Sequence, residues 1–181
     1  LGASVTANYD VRRVVRPHLE ALHAQTGSVV TLGIRDGDVG IYIDKIEPAD
    51  FVIRLHSEVG KSFPLHCTAM GKVLLAHSDS ATINRVARRK LRAYTDNTIT
   101  DAQALRDELE TVAERGYGVD REEITRGLVC VAAPIYGIDG VVEAAVSCTV
   151  SSFDASPEHL ENVVRLVRGC ADKASGRNRG T

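Results

Sequence analysis

The stretch SFPLHCTAMGKVLLAH, Ser62 to His77, sets a histidine and a cysteine directly ahead of what reads as the start of a helix. Three chemistries are open to such a segment: a cysteine nucleophile with a histidine base, a metal site, and a socket for an anion. The first requires the base to reach its nucleophile's proton, and adjacent residues of an extended segment, His66 and Cys67, point to opposite sides. A metal site would draw on His56, His66, His77 and Cys67. No pair among them stands four apart within one helix, and no acidic partner is close. For the third, a helix beginning near Thr68 leaves its first N–H groups, at Ala69, Met70 and Gly71, without acceptors and places partial positive charge there. The small residues Ala69 and Gly71 let a carboxylate approach the backbone. Thr68 either caps the helix and nothing more or also serves a ligand, and the pattern alone admits both.

A second constellation comes from the segment GLVCVAAPIYGIDGVVEAAVSCTV, a long hairpin whose turn falls in YGIDGV. A turn closing symmetrically on Ile138-Asp139 places Cys130 opposite Ser147, Leu128 opposite Thr149 and Ala132 opposite Ala145, all on one face. The other face carries Val129, Val131, Ala133, Val146 and Cys148, an apolar set suited to a core. Small polar side chains, Cys130, Ser147 and Thr149, fit either a ligand patch or a strand beneath a close-packed helix. Asp120, in VDREE, reaches the same patch from the sheet edge. A bulge would shift every pairing by one. The basic run Arg85 to Arg92 resembles a phosphate-contacting patch, but its charges distribute around a helix carrying Ile83, Val86 and Leu91, the pattern of a solvated face.

Positioning these residues requires strands and helices in separate runs. Apolar residues at Val11, Val14, Val15, Leu19 and Leu22 predict an amphipathic helix from Tyr9 to Thr26, bent or restarted at Pro17 and stopped by Gly27. Two strands around Asp36-Gly37 and a third in FVIRLHS predict an antiparallel meander. Helices follow in TAMGKVLLAHS, ATINRVARRKL and DAQALRDELETVAERG, the last opening on Thr100 and closing on Gly116. A short strand in YGVD, the long hairpin and a helix in SPEHLENVVRLVRGCADKA complete the order. Such runs predict an α+β domain on an antiparallel sheet.

The 181 residues, 44% hydrophobic and 25% charged, fit one globular unit rather than a disordered chain or a coiled coil. A formal net charge of −2 argues against DNA being gripped by most of the chain. There is no apolar run of the ~20 residues a membrane span needs, and no signal-peptide start, so a cytoplasmic protein with no membrane partner is expected. Cys67, Cys130, Cys148 and Cys170 form no C-x-x-C pair and read as reduced thiols. The only methionine is Met70, so the chain reads as a piece with something missing upstream.

The motifs FPLHCTAMGKVLLA, DREEITRGLVCVAAPIYGIDGVVEAAVS and RRVVRPHLEALHAQTGSVVTLGI resemble, in order and spacing over about residues 5–170, the effector-binding domain of the IclR family of bacterial transcriptional regulators. The resemblance implies a GAF-like α+β fold: a curved antiparallel sheet of about six strands, helices on one side and a helical insertion. It implies residues 1–26 leading from a missing winged helix-turn-helix domain, an effector-binding domain over 27–173, and a disordered tail over 174–181. It also implies a homodimer or homotetramer, operator DNA contacted only through the missing domain, and a small organic acid as effector, with no enzyme activity, cofactor or metal. Carried over residue by residue, the acid's carboxylate meets the N–H groups of Ala69 and Met70. Polar contacts come from Asp120, Cys130, Ser147 and Thr149, and apolar walls from Leu55, Phe63 and Leu128. Cys67 and Val73 stand where the family usually has alanine, so effector identity does not carry over. The alternatives are a GAF-like thiol redox enzyme using Cys130 or Cys67, for which Cys148 faces away as a resolving thiol, and a plain dimerisation module.

Overall fold

The computed structural model describes residues 2–49 and 57–176, with side chains described from residue 11 onward. Helix α1, Gly2–Thr26, buries Val11, Val15, Leu19 and Leu22, the three-and-four spacing of one stripe. Pro17 lies on its exposed side and does not end it. Gly27, at φ +63°, turns the chain into β1, Val29–Asp36, which pairs with β2, Val39–Ile46. The tight turn is Gly37-Asp38, one residue later than the expected Asp36-Gly37, because Gly37 takes the positive φ of +59°. The strand expected in FVIRLHS falls on residues outside those described, except Ser57, which is in no strand. Among the described residues the strand next to β2 is β3, Ser62–Phe63, whose Phe63 pairs with Gly40 of β2. A Cβ on Gly40 would lie 2.0 Å from the Phe63 ring, so only glycine fits there.

Helices α2 (Ala69–Ala76), α3 (Ser80–Ala87) and α4 (Ala102–Arg115) follow, then β4 (Gly118–Arg121), β5 (Leu128–Tyr136), β6 (Val142–Ser151) and α5 (Pro157–Ala174). The sheet is antiparallel throughout, in the order β3-β2-β1-β6-β5-β4. The α4 cap is Asp101, not Thr100: its Oδ1 accepts from Gln103 N–H at 2.9 Å and Ala104 N–H at 2.8 Å. A carboxylate there answers both the orphan donors and the helix dipole. Gly116, at φ +75°, closes the helix as expected.

Two cores sandwich the sheet. On one face α1 and α5 pack Val15, Leu19, Val163 and Val167 against Val30, Val131, Val146 and Cys148. On the other, α2 and α4 pack Val73, Leu74, Leu105 and Leu109 over Ala132 and Ala145. Burying each such valine or leucine contributes roughly 1.5–3 kcal/mol relative to exposing it. Asp44 of β2, 1% exposed, accepts from Arg16 at 2.7 Å and lies 3.4 Å from Arg12, which ties α1 to the sheet.

The β5–β6 register differs from the symmetric closure. Cys130 pairs with Thr149, Ala132 with Ser147 and Leu128 with Ser151, two residues along from the expected partners. The turn is one residue longer than a symmetric one, with Gly137 N–H donating to Val141 O at 2.8 Å, and an irregularity between Ile135 and Tyr136 adds a second offset. Two one-residue offsets restore the alternation, so Leu128, Cys130, Ser147 and Thr149 still share a face while Val131, Val146 and Cys148 occupy the other.

Candidate functional site

Thr68 is the N-cap of α2. In extended conformation it accepts the Gly71 N–H on its Oγ1 at 3.0 Å and donates that hydroxyl to Pro64 O at 2.8 Å. The Lys72 N–H closes the first helical bond to Thr68 O. Helix geometry leaves the N–H groups of Ala69 and Met70 without an intrahelical acceptor, at the positive end of the α2 dipole. Gly71 makes the turn possible, since a Cβ there would lie 2.5 Å from Thr68 Oγ1 and 2.6 Å from Leu65 Cα.

This helix start opens onto a cavity of about 70 Å³ between α2 and the sheet. That is room for a few water-sized groups, given that one water needs ~10–15 Å³ on this measure. Its floor is the face of β5 and β6 carrying Leu128, Cys130, Ser147 and Thr149, with the Cys130 thiol 3.3 Å from Thr149 Oγ1. Thr31 of β1 lines it and donates to Met70 Sδ at 3.8 Å. The far wall is Asp120 of β4, 2% exposed, whose Oδ1 accepts the Glu123 N–H at 2.7 Å. Ile124 and Thr125 close the top, in a loop held by Thr95 Oγ1 donating to Glu122 O at 2.6 Å and Thr98 Oγ1 to Glu123 O at 2.5 Å.

Burial raises the Asp120 carboxyl to about 7, and the nearby Glu123 carboxylate adds to the rise; backbone hydrogen bonds and Lys72 oppose it. Lys72 lies behind the cavity, 1% exposed, with Nζ 2.6 Å from Glu123 Oε1 and 3.0 Å from Glu108 Oε1, and Glu108 is shared with Arg115 at 3.2 Å. Desolvation lifts the Cys67 and Cys130 thiols and the Tyr42 phenol well above their ordinary ranges, so all three stay protonated at neutral pH.

Of the residues named from the sequence, the structure brings Ala69, Met70, Asp120, Leu128, Cys130, Ser147 and Thr149 together around one cavity. Phe63 is not on its wall. It lies behind Tyr42, ring centroids 4.5 Å apart, over Gly33 and Gly40, and it is Tyr42 that faces the cavity. Leu55 lies outside the described residues. Sequence reasoning missed Thr31, Tyr42 and Ser57. Thr31 carries a signal, being a lone hydroxyl in the buried run from Val29 to Ile34. Ser57 carries none, yet its Oγ is buried against the cavity without a hydrogen-bond partner. The histidines answer to the backbone: His66 Nε2 lies 3.0 Å from Arg92 O, and His77 Nδ1 lies 2.9 Å from Val73 O. Arg85 and Arg89 are exposed and pair with Asp38.

A chain of this fold, with an anion-compatible helix start above a polar patch of sheet, matches one family profile over residues 3–176, described as the bacterial transcriptional regulator IclR C-terminal. The chain belongs to this family. It is 35% identical over 176 residues to the HTH-type transcriptional regulator KdgR of Escherichia coli, covering 97% of this chain and 66% of that one. The chain spans 57–67% of the length of the curated IclR-family regulators it matches. The crystal structure of the Thermotoga maritima IclR superposes with a TM-score of 0.88 at 32% identity, covering 98% of this chain and 72% of that one. A double mutant of the PobR inducer-binding domain from Acinetobacter, in complex with 3-hydroxybenzoic acid, superposes with a TM-score of 0.81 at 26% identity, covering 89% and 95%. Among the described residues no helix is long and apolar enough to cross a membrane, and no three metal-ligating side chains cluster.

Proposed function

We propose that this IclR C-terminal domain is the effector-binding and self-associating part of a cytoplasmic transcriptional regulator, that it senses a small organic acid, and that operator DNA is contacted by a region outside this chain. The observation that carries the reading is the juxtaposition of the Ala69 and Met70 N–H groups with a ring of uncharged polar side chains, Thr31, Ser57, Cys130, Ser147 and Thr149, around one cavity. A carboxylate seats on the helix start, and the hydroxyls and the Tyr42 phenol receive the rest of the molecule. The PobR domain, holding a carboxylic acid on a similar fold, supports a carboxylate ligand. The reading assigns no catalytic role: Cys67 is buried, Cys130 is half-buried, desolvation raises both thiols, and Cys130 and Cys148 stand on opposite faces of the sheet.

Occupancy of the cavity bears on α2, which packs on the sheet and on α4, so a bound acid shifts the balance between conformations by its differential affinity for them. A thermal-shift screen against organic acids tests the reading. A binder at a hundredfold its dissociation constant stabilises by roughly 2.7 kcal/mol, and the shift at the same concentration should fall to about half or less in Ser147→Ala. Sedimentation of the chain at tens of micromolar tests self-association, with a dimer or tetramer as the expected species.

A further inference from the structure

Strand β4 is one edge of the sheet. Glu122 N–H donates to Leu128 O at 3.0 Å, in the register that pairs Asp120 with Cys130. The even residues of β4 therefore turn their backbone groups toward β5, and the odd ones, Tyr117, Val119 and Arg121, turn theirs outward. Two of the outward carbonyls are taken: Arg121 O accepts from Asn97 Nδ2 at 3.1 Å, and Tyr117 O from Arg115 Nε at 2.7 Å. The Val119 N–H and C=O have no partner among the described residues, although Val119 is only 6% exposed. An unpaired and poorly solvated edge of this kind is relieved by a further strand.

Beside the edge runs a groove of about 490 Å³ between β4 and α5, with Val119, Leu160 and Val164 along its floor and Arg121, Glu161 and Arg168 on its rim. Glu161, Val164 and Arg168 stand three and four apart, one stripe of α5. Glu161 and Arg168 are exposed, and neither forms an ion pair among the described residues. The stripe is opposite in charge on the two sides of Val164. Turned about a two-fold axis, it lies antiparallel on its own copy with each Glu161 against an Arg168, so the surface that flanks the open edge is complementary to itself.

Resting on the self-association proposed above, we propose that the β4 edge is completed by β4 of a second copy of this chain, antiparallel about a two-fold axis at Val119, so that the two sheets run on as one. The Val119 N–H of each protomer then donates to the partner's Val119 carbonyl, and Arg121 comes opposite the partner's Tyr117. The Glu161 carboxylate meets the guanidinium of the partner's Arg168 across the closed groove.

Sedimentation at low ionic strength tests the arrangement by charge reversal. Glu161→Arg and Arg168→Glu each set like charges against each other twice per interface, so each should weaken association at least about tenfold. The double variant carrying both changes exchanges the poles and should return to within about threefold of the native chain. A variant that merely loosens α5 gains nothing from the second change. In hydrogen exchange, the Val119 amide should be protected at tens of micromolar native chain and should lose that protection on dilution or in Arg168→Glu. Single reversals that leave association unchanged, a double variant no better than the singles, or a Val119 amide that exchanges alike in monomer and assembly overturns this interface while leaving self-association in place. A native chain that stays monomeric removes the self-association reading and this inference with it.

Discussion

Replacing Asp120 with asparagine should make the protein more stable, and increasingly so as the pH rises. The folded chain holds the Asp120 carboxyl near 7, against an ordinary value of 3.8, because the group is 2% exposed and faces Glu123. Below about pH 4 both the folded and unfolded chains carry the proton, and stability from this group is complete. Above it the unfolded chain releases the proton while the folded chain keeps it, so stability falls as the pH climbs and the loss is complete a little above pH 7. Each unit corresponds to about 1.4 kcal/mol, so this single carboxyl removes about 2–3 kcal/mol between pH 5 and pH 8. Asparagine retains an oxygen to accept the Glu123 N–H, has nothing to ionise, and escapes that loss. The difference in unfolding free energy between variant and native chain, from urea titrations at pH 5 and pH 8, cancels the titrating groups distant from Asp120. It should grow by about 2–3 kcal/mol in favour of asparagine, or about 5–10 °C in Tm for a domain of this size. A difference that stays constant across that range, or turns against asparagine at pH 8, would refute the burial of an ionisable carboxyl at this wall.

Lys72→Met should cost about 3–5 kcal/mol in urea unfolding, since it strips Glu123 of its 2.6 Å buried partner; adding Glu123→Gln should recover part of that loss. Gly71→Ala, whose Cβ meets Thr68 Oγ1 and the Leu65 backbone, should cost about 1–3 kcal/mol and reduce acid binding by calorimetry, because the start of α2 must shift. Native protein at pH 8 should react slowly with an aromatic disulfide reagent at all four cysteines and fully after denaturation; rapid reaction of Cys130 in the native state would revive the thiol-enzyme alternative.

What could be read from the sequence was local. Thr68 followed by small residues marks a helix start within four positions, and the alternation of β5 and β6 assigns faces even when the partner of each residue is off by two. The Cys130 face was recoverable because the longer turn and the bulge offset one another in parity. The lone hydroxyl of Thr31 marks it as unusual, but its place at the cavity, and that of Tyr42 on the neighbouring β2, depends on β1 pairing with β6, Thr31 against Ser147, across more than a hundred residues of chain. Tyr42 stands where Phe63 was expected for the same kind of reason: which aromatic faces the cavity depends on β3 pairing with β2 at Gly40, where the missing side chain makes room for the Phe63 ring. Nothing in the local pattern of α2 marks Lys72 as buried. It is buried because Glu108 of α4 and Glu123 after β4 converge on it, two long-range contacts that no local pattern carries.

On the proposed reading, a small carboxylic acid binds with its carboxylate on the first N–H groups of α2. Backbone amide shifts recorded while 3-hydroxybenzoate or glycolate is titrated into the isotopically labelled chain address it directly. The largest saturable changes should fall on the Ala69 and Met70 amides, joined by Asp120, Ser147 and Thr149, and in Ser147→Ala should all need about tenfold or more acid to reach half saturation. Saturable changes centred elsewhere, for instance on the α1–α5 groove around His18 and Arg165, with Ala69 and Met70 unmoved, would contradict it.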